Sequence, residues 1–198
     1  MLISTNAIVL KSISYGDTSI ISTLFTEHYG KITIIAKGAW RPKRATGSLL
    51  EPMNHLSIQY YHKNNRNIQL LKEISLINAF SLIRIQLKKI VIGQFIIESL
   101  DKTSLDNNPM PVLYRLCWRV LDAINQNNVN CWLVFIFYLF QLSLRLGFMP
   151  NVTNCNICNK KLFSAVVNKK ILKLICNDCD SNNRNNFVNI FKGFFKSF

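Results

Sequence analysis

Four cysteines in the last quarter of the sequence are arranged as two pairs. Cys155 and Cys158 form one C-x2-C pair, Cys176 and Cys179 form the other, and residues 159–175 separate them. Two thiolates three positions apart can hold one metal ion from the same side. A second pair completes a tetrahedral shell, the coordination that structural zinc prefers. Because four sulfurs leave no position open for water, we expect one structural Zn²⁺ per chain and no catalytic metal.

Other interpretations of these cysteines are two disulfides, four thiols without a metal, or an iron–sulfur cluster. The amino-terminal residues lack the charged and apolar regions of a signal peptide. The longest apolar run, Cys131–Phe140, is about half of the ~20 residues that a membrane span needs. We therefore expect a cytoplasmic protein in which thiols stay reduced, and this favours zinc. Cys117 and Cys131 have apolar neighbours and are predicted to lie in the core.

The charge balance indicates a polyanionic partner. Lysine and arginine number 24 against 10 acidic residues, a formal net charge of +14. Such an excess is typical of proteins that bind nucleic acid or an anionic membrane surface. We expect nucleic acid and no membrane. An apolar stripe in the Phe-rich tail, residues 187–198, leaves a membrane-surface helix as a less favoured interpretation of that tail.

The segment "IIAKGAWRPKRATG" at residues 34–47 concentrates cations around one tryptophan. Its cations would neutralise phosphates, and Trp40 could stack on an unpaired base. Gly38 and Gly47 would let the backbone turn sharply at each end of the loop. The alternative is a solvated basic turn with Trp40 packed on the protein. The residues predicted to bind nucleic acid are Lys37, Trp40, Arg41, Lys43 and Arg44 in the loop, with Lys31, Lys63 and Arg66 elsewhere.

Motifs for catalysis are missing from the sequence. There is no complete phosphate-binding loop, no G-x-S-x-G and no H-E-x-x-H. The three histidines have no nucleophile nearby, and no pair of carboxylates stands out. We therefore predict that the protein is not an enzyme, with no catalytic residues and no nucleotide cofactor.

The hydrophobic pattern changes twice along the chain, which predicts an α+β, multi-domain protein. Five short β-branched segments before residue 78 suggest a small closed barrel, with strands at 7–10, 19–25, 31–36, 56–61 and 68–72. Helical periodicity follows in three segments. Near one face of the first lie Phe80, Ile83, Leu87, Ile90, Gln94 and Ile97, and the apolar positions of the second are Leu113, Leu116, Val120, Leu121 and Ile124. The third, capped by Asn130 and stopped at Gly147, is apolar almost all round and is expected to be central to the helical domain. The predicted domains are 1–78 (barrel), 79–150 (helical), 151–182 (four-cysteine zinc finger) and 183–198 (a helix that packs on the helical domain).

Several motifs, in order, make the chain resemble the RecO family of recombinational DNA repair proteins. The amino-terminal motifs are Tyr15-Gly16-Asp17, the Gly30 turn and Ala36-Lys37-Gly38-Ala39. Gly47, Leu49 and Pro52 match a later Gly-x-Leu-x-x-Pro segment, and "LRLGFMPNVTNCNIC" matches the helix end and the first cysteine pair. The resemblance runs over nearly the whole chain. It implies an N-terminal OB-fold barrel, a helical middle domain and a zinc finger.

The resemblance also implies a function without chemistry. RecO proteins bind single- and double-stranded DNA, anneal complementary strands and contact single-strand-binding protein. With RecR, they help to load RecA. The chain departs from the family in its third helix, where Arg145 is the only charge. The resemblance therefore does not imply a contact there with the acidic tail of single-strand-binding protein, and such a contact would use other lysines. The barrel and zinc site alone also fit an RNA- or ribosome-associated protein, and a scaffold with little DNA affinity is a third interpretation.

Overall fold

The computed structural model describes residues 1–41, 46–148, 153–162, 165–168, 173–179 and 187–188. The chain divides into two compact units, Met1–Leu142 and Ser143–Phe198. The first unit holds a barrel and most of the helical segment. The second holds the four-cysteine cluster.

Five strands of the first unit form a closed barrel in the order β1-β2-β3-β5-β4. Neighbouring strands are antiparallel, except that β3 and β5 run parallel through pairs such as Ile35–Leu70. This topology confirms the predicted OB-like barrel. The strands are β1 (Leu2–Tyr15), β2 (Ser19–Thr26), β3 (Gly30–Ala36), β4 (His55–Tyr61) and β5 (Ile68–Asn78).

Alternation of inward and outward side chains builds the barrel core. Along β3, Ile32, Ile34 and Ala36 are buried, whereas the residues between them are half-buried. The same period of two extends β1 well beyond the predicted 7–10, because Ile3 and Thr5 also point inward. Ala39 and Leu50, from the connection between β3 and β4, complete the core.

In the part of the chain that the structure describes, four helices follow the barrel: α1 (Ser81–Arg84), α2 (Leu87–Thr103), α3 (Pro111–Ile124) and α4 (Cys131–Arg145). The apolar stripe predicted for α3 is buried in full, and the backbone N–H of Trp132 donates to Asn130 Oδ1 at the start of α4. Gly147 ends this segment with φ +76°, as its predicted role as a helix stop requires. Among the described residues, no helix is long and apolar enough to cross a membrane.

Two helical expectations were wrong. The first segment does not form one continuous helix, because α1 ends before Ile85 and α2 begins at Leu87. This break resets the helical phase, so that Leu87, predicted to face the core, is 76 % exposed. The third segment was expected to be central, but α4 buries only one stripe. Its buried residues are Cys131, Val134, Tyr138 and Leu142.

In the second unit, the described strands form a small antiparallel sheet in the order β7-β6-β8. The strands are β6 (Ala165–Asn168), β7 (Lys173–Ile175) and β8 (Phe187–Val188). The helix predicted for 183–198 is wrong at Phe187 and Val188. These two residues form strand β8, because their backbone pairs with β6. The rest of that predicted helix lies outside the described residues, and so does part of the predicted zinc finger.

Candidate metal centre and nucleic-acid interface

The sulfur atoms of the four paired cysteines converge. One Sγ from each of Cys155, Cys158, Cys176 and Cys179 lies within 4.8 Å of the other three, and the Sγ atoms of Cys158 and Cys176 are 3.6 Å apart. Tetrahedral zinc–thiolate bonds of about 2.3 Å place sulfurs at this kind of separation. The arrangement fits a four-coordinate metal site built only from thiolates. None of the described cysteines forms a disulfide.

Local backbone structure prepares Cys155 to act as a thiolate. The Cys155 N–H donates to Lys160 O and its C=O accepts from the N–H of Asn159, which closes a tight turn around the sulfur. Burial alone would raise the pKa of the Cys155 thiol, but backbone N–H groups of Cys158, Cys176 and Ile157 lower that pKa to about 6. Hydrogen bonds to neighbouring thiols raise the pKa of Cys179 to about 12. Binding of a metal cation would release the protons that form hydrogen bonds between these sulfurs, and all four sulfurs would then bind as thiolates.

Strand β7 brings the second cysteine pair to the first. The N–H of Asn156 donates to Leu174 O, and the N–H of Cys176 donates to Cys155 Sγ over 3.3 Å. Ile175, between these two contacts, is fully buried. The cysteines predicted to be core residues, Cys117 and Cys131, are both buried and do not belong to the cluster.

The described part of the cationic loop is a tight turn after β3. Gly38 has φ +67° and accepts a hydrogen bond from the N–H of Arg41, which confirms its predicted role in the turn. Ala39 is buried, whereas Lys37 and Arg41 are exposed and Trp40 is 55 % exposed. The buried alanine anchors the turn on the barrel. Lys43 and Arg44 lie outside the described residues.

Gly47 has a different role from the predicted one. Its φ is −61°, a value that any residue adopts, so the backbone does not need glycine there. A Cβ added to Gly47 would lie 2.6 Å from Cε3 and Cζ3 of Trp40. Glycine is required because the indole ring rests on this residue. The Gly47 N–H also donates to Ala39 O, which fixes the loop at its far end.

The predicted cations outside the loop fall in different places. Arg66 and Lys63 are exposed in the β4–β5 turn, whose shape is set by Gln69: its amide group accepts from the Lys63 N–H and donates to the carbonyls of Lys63 and Arg66. Arg66 and Lys37 line the same open groove on the barrel. Parallel pairing of β3 with β5 places both cations on this groove, Arg66 before the start of β5 and Lys37 after the end of β3. Because 28 residues lie between Lys37 and Arg66 in the sequence, their shared groove could not be predicted from sequence spacing.

The amino group of Lys31 contacts residues of the helical segment. Its Nζ donates to the backbone carbonyl of Asp101 over 2.8 Å and lies 3.6 Å from carboxylate oxygens of Asp101 and Asp106. Its side chain is only 16 % exposed. The adjacent Gly30 meets the backbone of Asn108, where an added Cβ would overlap it. This end of β3 therefore attaches the barrel to the segment between α2 and α3.

The groove contains residues that were not predicted to bind DNA. Besides Lys37 and Arg66, it is lined by Tyr15, Ile21, Ile35, Ile68 and Leu70. In the sequence, the apolar residues belong to predicted strands, and Tyr15 belongs to the Tyr15-Gly16-Asp17 motif. The exposed position of Ile68 beside Thr33 depends on the β3–β5 register, which the sequence pattern alone does not specify.

Comparison with known proteins gives two adjoining family matches. The model described as "Recombination protein O N terminal" matches residues 1–80, and "Recombination protein O C terminal" matches residues 84–189. These boundaries correspond to the barrel and to the helical and cysteine-rich remainder.

Curated relatives carry the same description. The DNA repair protein RecO of Salinibacter ruber is 36 % identical over 156 residues, which cover 79 % of this chain and 60 % of the relative. Proteins with that name from Prosthecochloris aestuarii and Thermoanaerobacter sp. are 30 % and 31 % identical, over 83 % and 81 % of this chain and 62 % and 64 % of their own lengths. The chain thus spans somewhat less than two thirds of these relatives.

Proposed function

Since this chain belongs to the RecO family, we propose that it is a non-enzymatic protein of recombinational DNA repair that binds DNA and anneals complementary strands. In this proposal it acts on single- and double-stranded DNA and, with RecR, helps to load RecA on DNA coated by single-strand-binding protein. The name of these relatives, DNA repair protein RecO, supports the general role. It also favours this function over the RNA- or ribosome-associated alternative.

The observation that carries the proposal is the exposed cationic and aromatic surface after β3. Lys37 and Arg41 are exposed on either side of Trp40, whose ring is held against Gly47. An aromatic ring held in one orientation loses little entropy when a base stacks on it, and cations beside it attract the phosphates. Arg66 adds a further positive charge at the groove that Lys37 lines.

The four-cysteine cluster supports a structural contribution. We propose that Cys155, Cys158, Cys176 and Cys179 bind one Zn²⁺ and that the ion holds the second unit together. A segment with short strands of two to four residues builds little core of its own. The ion would neutralise thiolate charge and take no part in a reaction.

A strand-annealing assay tests the function. We expect the protein to accelerate pairing of two complementary oligonucleotides without ATP, both free and coated with single-strand-binding protein. The control is a protein in which Lys37, Arg41, Lys43 and Arg44 are replaced by glutamine, which should anneal more slowly at the same concentration. If the wild-type protein leaves the spontaneous annealing rate unchanged on both substrates, the proposed activity is wrong.

The requirement for partners is tested separately. In the presence of RecA, we expect this chain and RecR together to speed the formation of RecA filaments on coated single strands. The rate should exceed the rate with this chain alone and the rate with RecR alone. Acceleration of annealing without any effect on RecA loading would limit the function of this chain to annealing.

A further inference from the structure

Asn54 is a buried polar side chain at the end of the connection between β3 and β4, and only 4 % of it is exposed. Its Nδ2 donates to the backbone carbonyls of Ser48 and Leu49, over 3.3 and 3.0 Å. These carbonyls belong to a single turn of 3-10 helix, Ser48–Leu50. Carbonyls at the end of a helix have no partner within the helix. Asn54 therefore attaches this short helix to the start of β4.

Arg84 of α1 fixes the direction in which the Asn54 amide points. The Nη2 of Arg84 donates to Asn54 Oδ1 over 2.8 Å and to Pro52 O over 2.9 Å, and its Nε donates to Ala79 O. Because a guanidinium group has donors only, the amide oxygen must face it, and the amide NH₂ then faces the two carbonyls of the short helix. The helical segment thus determines the orientation of a side chain in the β3–β4 connection.

The residue before Asn54 has a strained backbone. Met53 has φ +74°, a left-handed conformation that is uncommon for residues other than glycine. The Met53 N–H donates to Val9 O, and the N–H of Val9 donates to Asn54 O. The Met53 sulfur lies against Gly93 of α2, where an added Cβ would be 2.6 Å from it. Strain of this kind persists only where surrounding structure imposes it, and it is concentrated at functional sites. Contacts from β1 and α2 therefore fix the position of Asn54.

The same short helix leads to Trp40. Gly47 precedes the helix, and its carbonyl accepts from the N–H of Leu50, which is buried in the barrel core. The Gly47 N–H donates to Ala39 O, and the indole ring of Trp40 packs against the Gly47 α-carbon. A rotation of the helix would therefore move Gly47 and with it the surface on which the ring packs.

We propose that Asn54 and Arg84 are positioning residues for nucleic-acid binding, because their hydrogen bonds hold the short helix where Gly47 supports the ring of Trp40. The inference rests on the proposed DNA-binding function and on Trp40 as a base contact. Neither Asn54 nor Arg84 needs to touch the DNA. Since Trp40 is 55 % exposed, loss of this support leaves the ring with more orientations, and ordering them when a base binds lowers the affinity.

The variant Asn54→Asp tests the two donated hydrogen bonds. A carboxylate has the size of the amide and still accepts from Arg84, but it presents an oxygen to the two carbonyls where the amide presents a donor. We expect affinity for a fluorescent thymidine oligonucleotide to fall by about 2-fold or more, the lower limit of coupling within one hydrogen-bond network. In a Trp40→Ala background, Asn54→Asp should leave the affinity unchanged, because the ring that it positions is missing.

Two further variants separate positioning from charge and from the amide itself. Asn54→Ala adds no charge, and Arg84→Gln removes the group that orients the amide. Both should weaken thymidine binding only when Trp40 is present. If Asn54→Ala does not fold, the other two variants still give the result. Thermal unfolding of each protein sets a temperature at which all of them are folded, and binding is compared there.

Ser99→Ala is the matched control for a general loss of stability. It removes a 2.6 Å hydrogen bond between Ser99 of α2 and Tyr138 of α4, within the same unit but outside the Asn54 network. We expect its affinity for the oligonucleotide to equal that of wild type, with or without Trp40.

The outcomes separate the positioning role from the general function. If Asn54→Asp and Arg84→Gln bind as tightly as wild type, or lose the same factor with and without Trp40, the positioning role is overturned while DNA binding stands. If Trp40→Ala alone binds like wild type, the ring is not a base contact and the inference is overturned. If the wild-type protein does not bind the oligonucleotide, the proposed function fails and the inference fails with it.

Discussion

The indole ring of Trp40 lies directly on the α-carbon of Gly47. A Cβ at position 47 would stand 2.6 Å from two ring carbons, closer than side chains approach each other, while the ring stays 55 % exposed. The backbone at Gly47 is helical and unstrained. Position 47 therefore needs glycine so that the indole ring of Trp40 can pack against the backbone there. The ring is held in one place at the surface, with more than half of it exposed.

Gly47→Ala should displace this ring. We expect a loss of about 1 kcal/mol in the free energy of unfolding from the overlap, a shift in Trp40 fluorescence and weaker single-strand binding. In a Trp40→Ala background the sign should reverse, because alanine suits this backbone and stabilises by about 0.4–1 kcal/mol. Chemical unfolding of the four proteins in this cycle measures both effects. Equal effects of Gly47→Ala in both backgrounds would show that the ring does not rest there.

Replacing Lys37, Arg41, Lys43 and Arg44 with glutamine should lower the affinity for every DNA sequence by the same factor, because phosphate contacts carry no base information. The slope of log affinity against log salt should flatten by ~0.7 for each single-strand phosphate that the variant no longer neutralises. Trp40→Ala should weaken single-strand binding by about 1–3 kcal/mol at nearly the same slope, because stacking releases no counterions. One salt titration of each protein separates charge from stacking. A quadruple variant with wild-type affinity and slope would mean that the loop is only a turn.

Reduced, purified protein should contain one zinc ion per chain. Replacing Cys155 or Cys176 with serine should abolish stoichiometric metal and unfold the cysteine-rich segment, because binding of the ion is coupled to its folding. Elemental analysis and limited proteolysis measure the two effects. Cys131→Ala, outside the cluster, is the control and should keep the metal. Wild-type protein without stoichiometric metal would refute the site.

Asp101 should stabilise the attachment of the barrel to α2. Lys11 Nζ lies 2.7 Å from one carboxylate oxygen, and Lys31 Nζ lies 3.6 Å from the other. Burial opposes ionisation, but the hydrogen bond from Lys11 and the two positive charges together lower the pKa of Asp101. Because the folded-state pKa is lower than the unfolded one, this stabilisation is present above about pH 4 and is lost as pH falls through the folded pKa.

Asp101→Asn should therefore reduce the free energy of unfolding at pH 7 by about 1 kcal/mol, since the Lys11 pair is largely exposed. The difference from wild type should shrink as the pH falls below about 4. Urea unfolding at several pH values gives both quantities. Glu98→Gln, which removes an exposed pair with Lys102 on the same helix, is the control and should have a smaller effect. A difference that is constant down to pH 2 would contradict this role.

Features that depend on short stretches of sequence could be predicted without the fold. Two C-x2-C pairs place thiolates together through local turns, so the four cysteines were identified correctly as a cluster. The alternation of apolar residues predicted the barrel strands, and the stripe on α3 predicted its buried face. Within each C-x2-C pair, along the strands and on α3, the decisive neighbours lie within a few residues along the chain. That the two pairs form one cluster was predicted from the four-thiolate shell that structural zinc prefers.

Features that depend on distant partners were decided only by the tertiary structure. Lys31 looked like the other surface cations, but its amino group contacts residues 70 or more positions away in the chain. Gly47 looked like a turn residue, yet the ring of Trp40 explains it. The groove exists because β3 and β5 pair in parallel, a register that brings Lys37 and Arg66 to one surface. Local periodicity tells which face of a strand is buried but not which strand lies beside it, and this pairing is what assembles the groove.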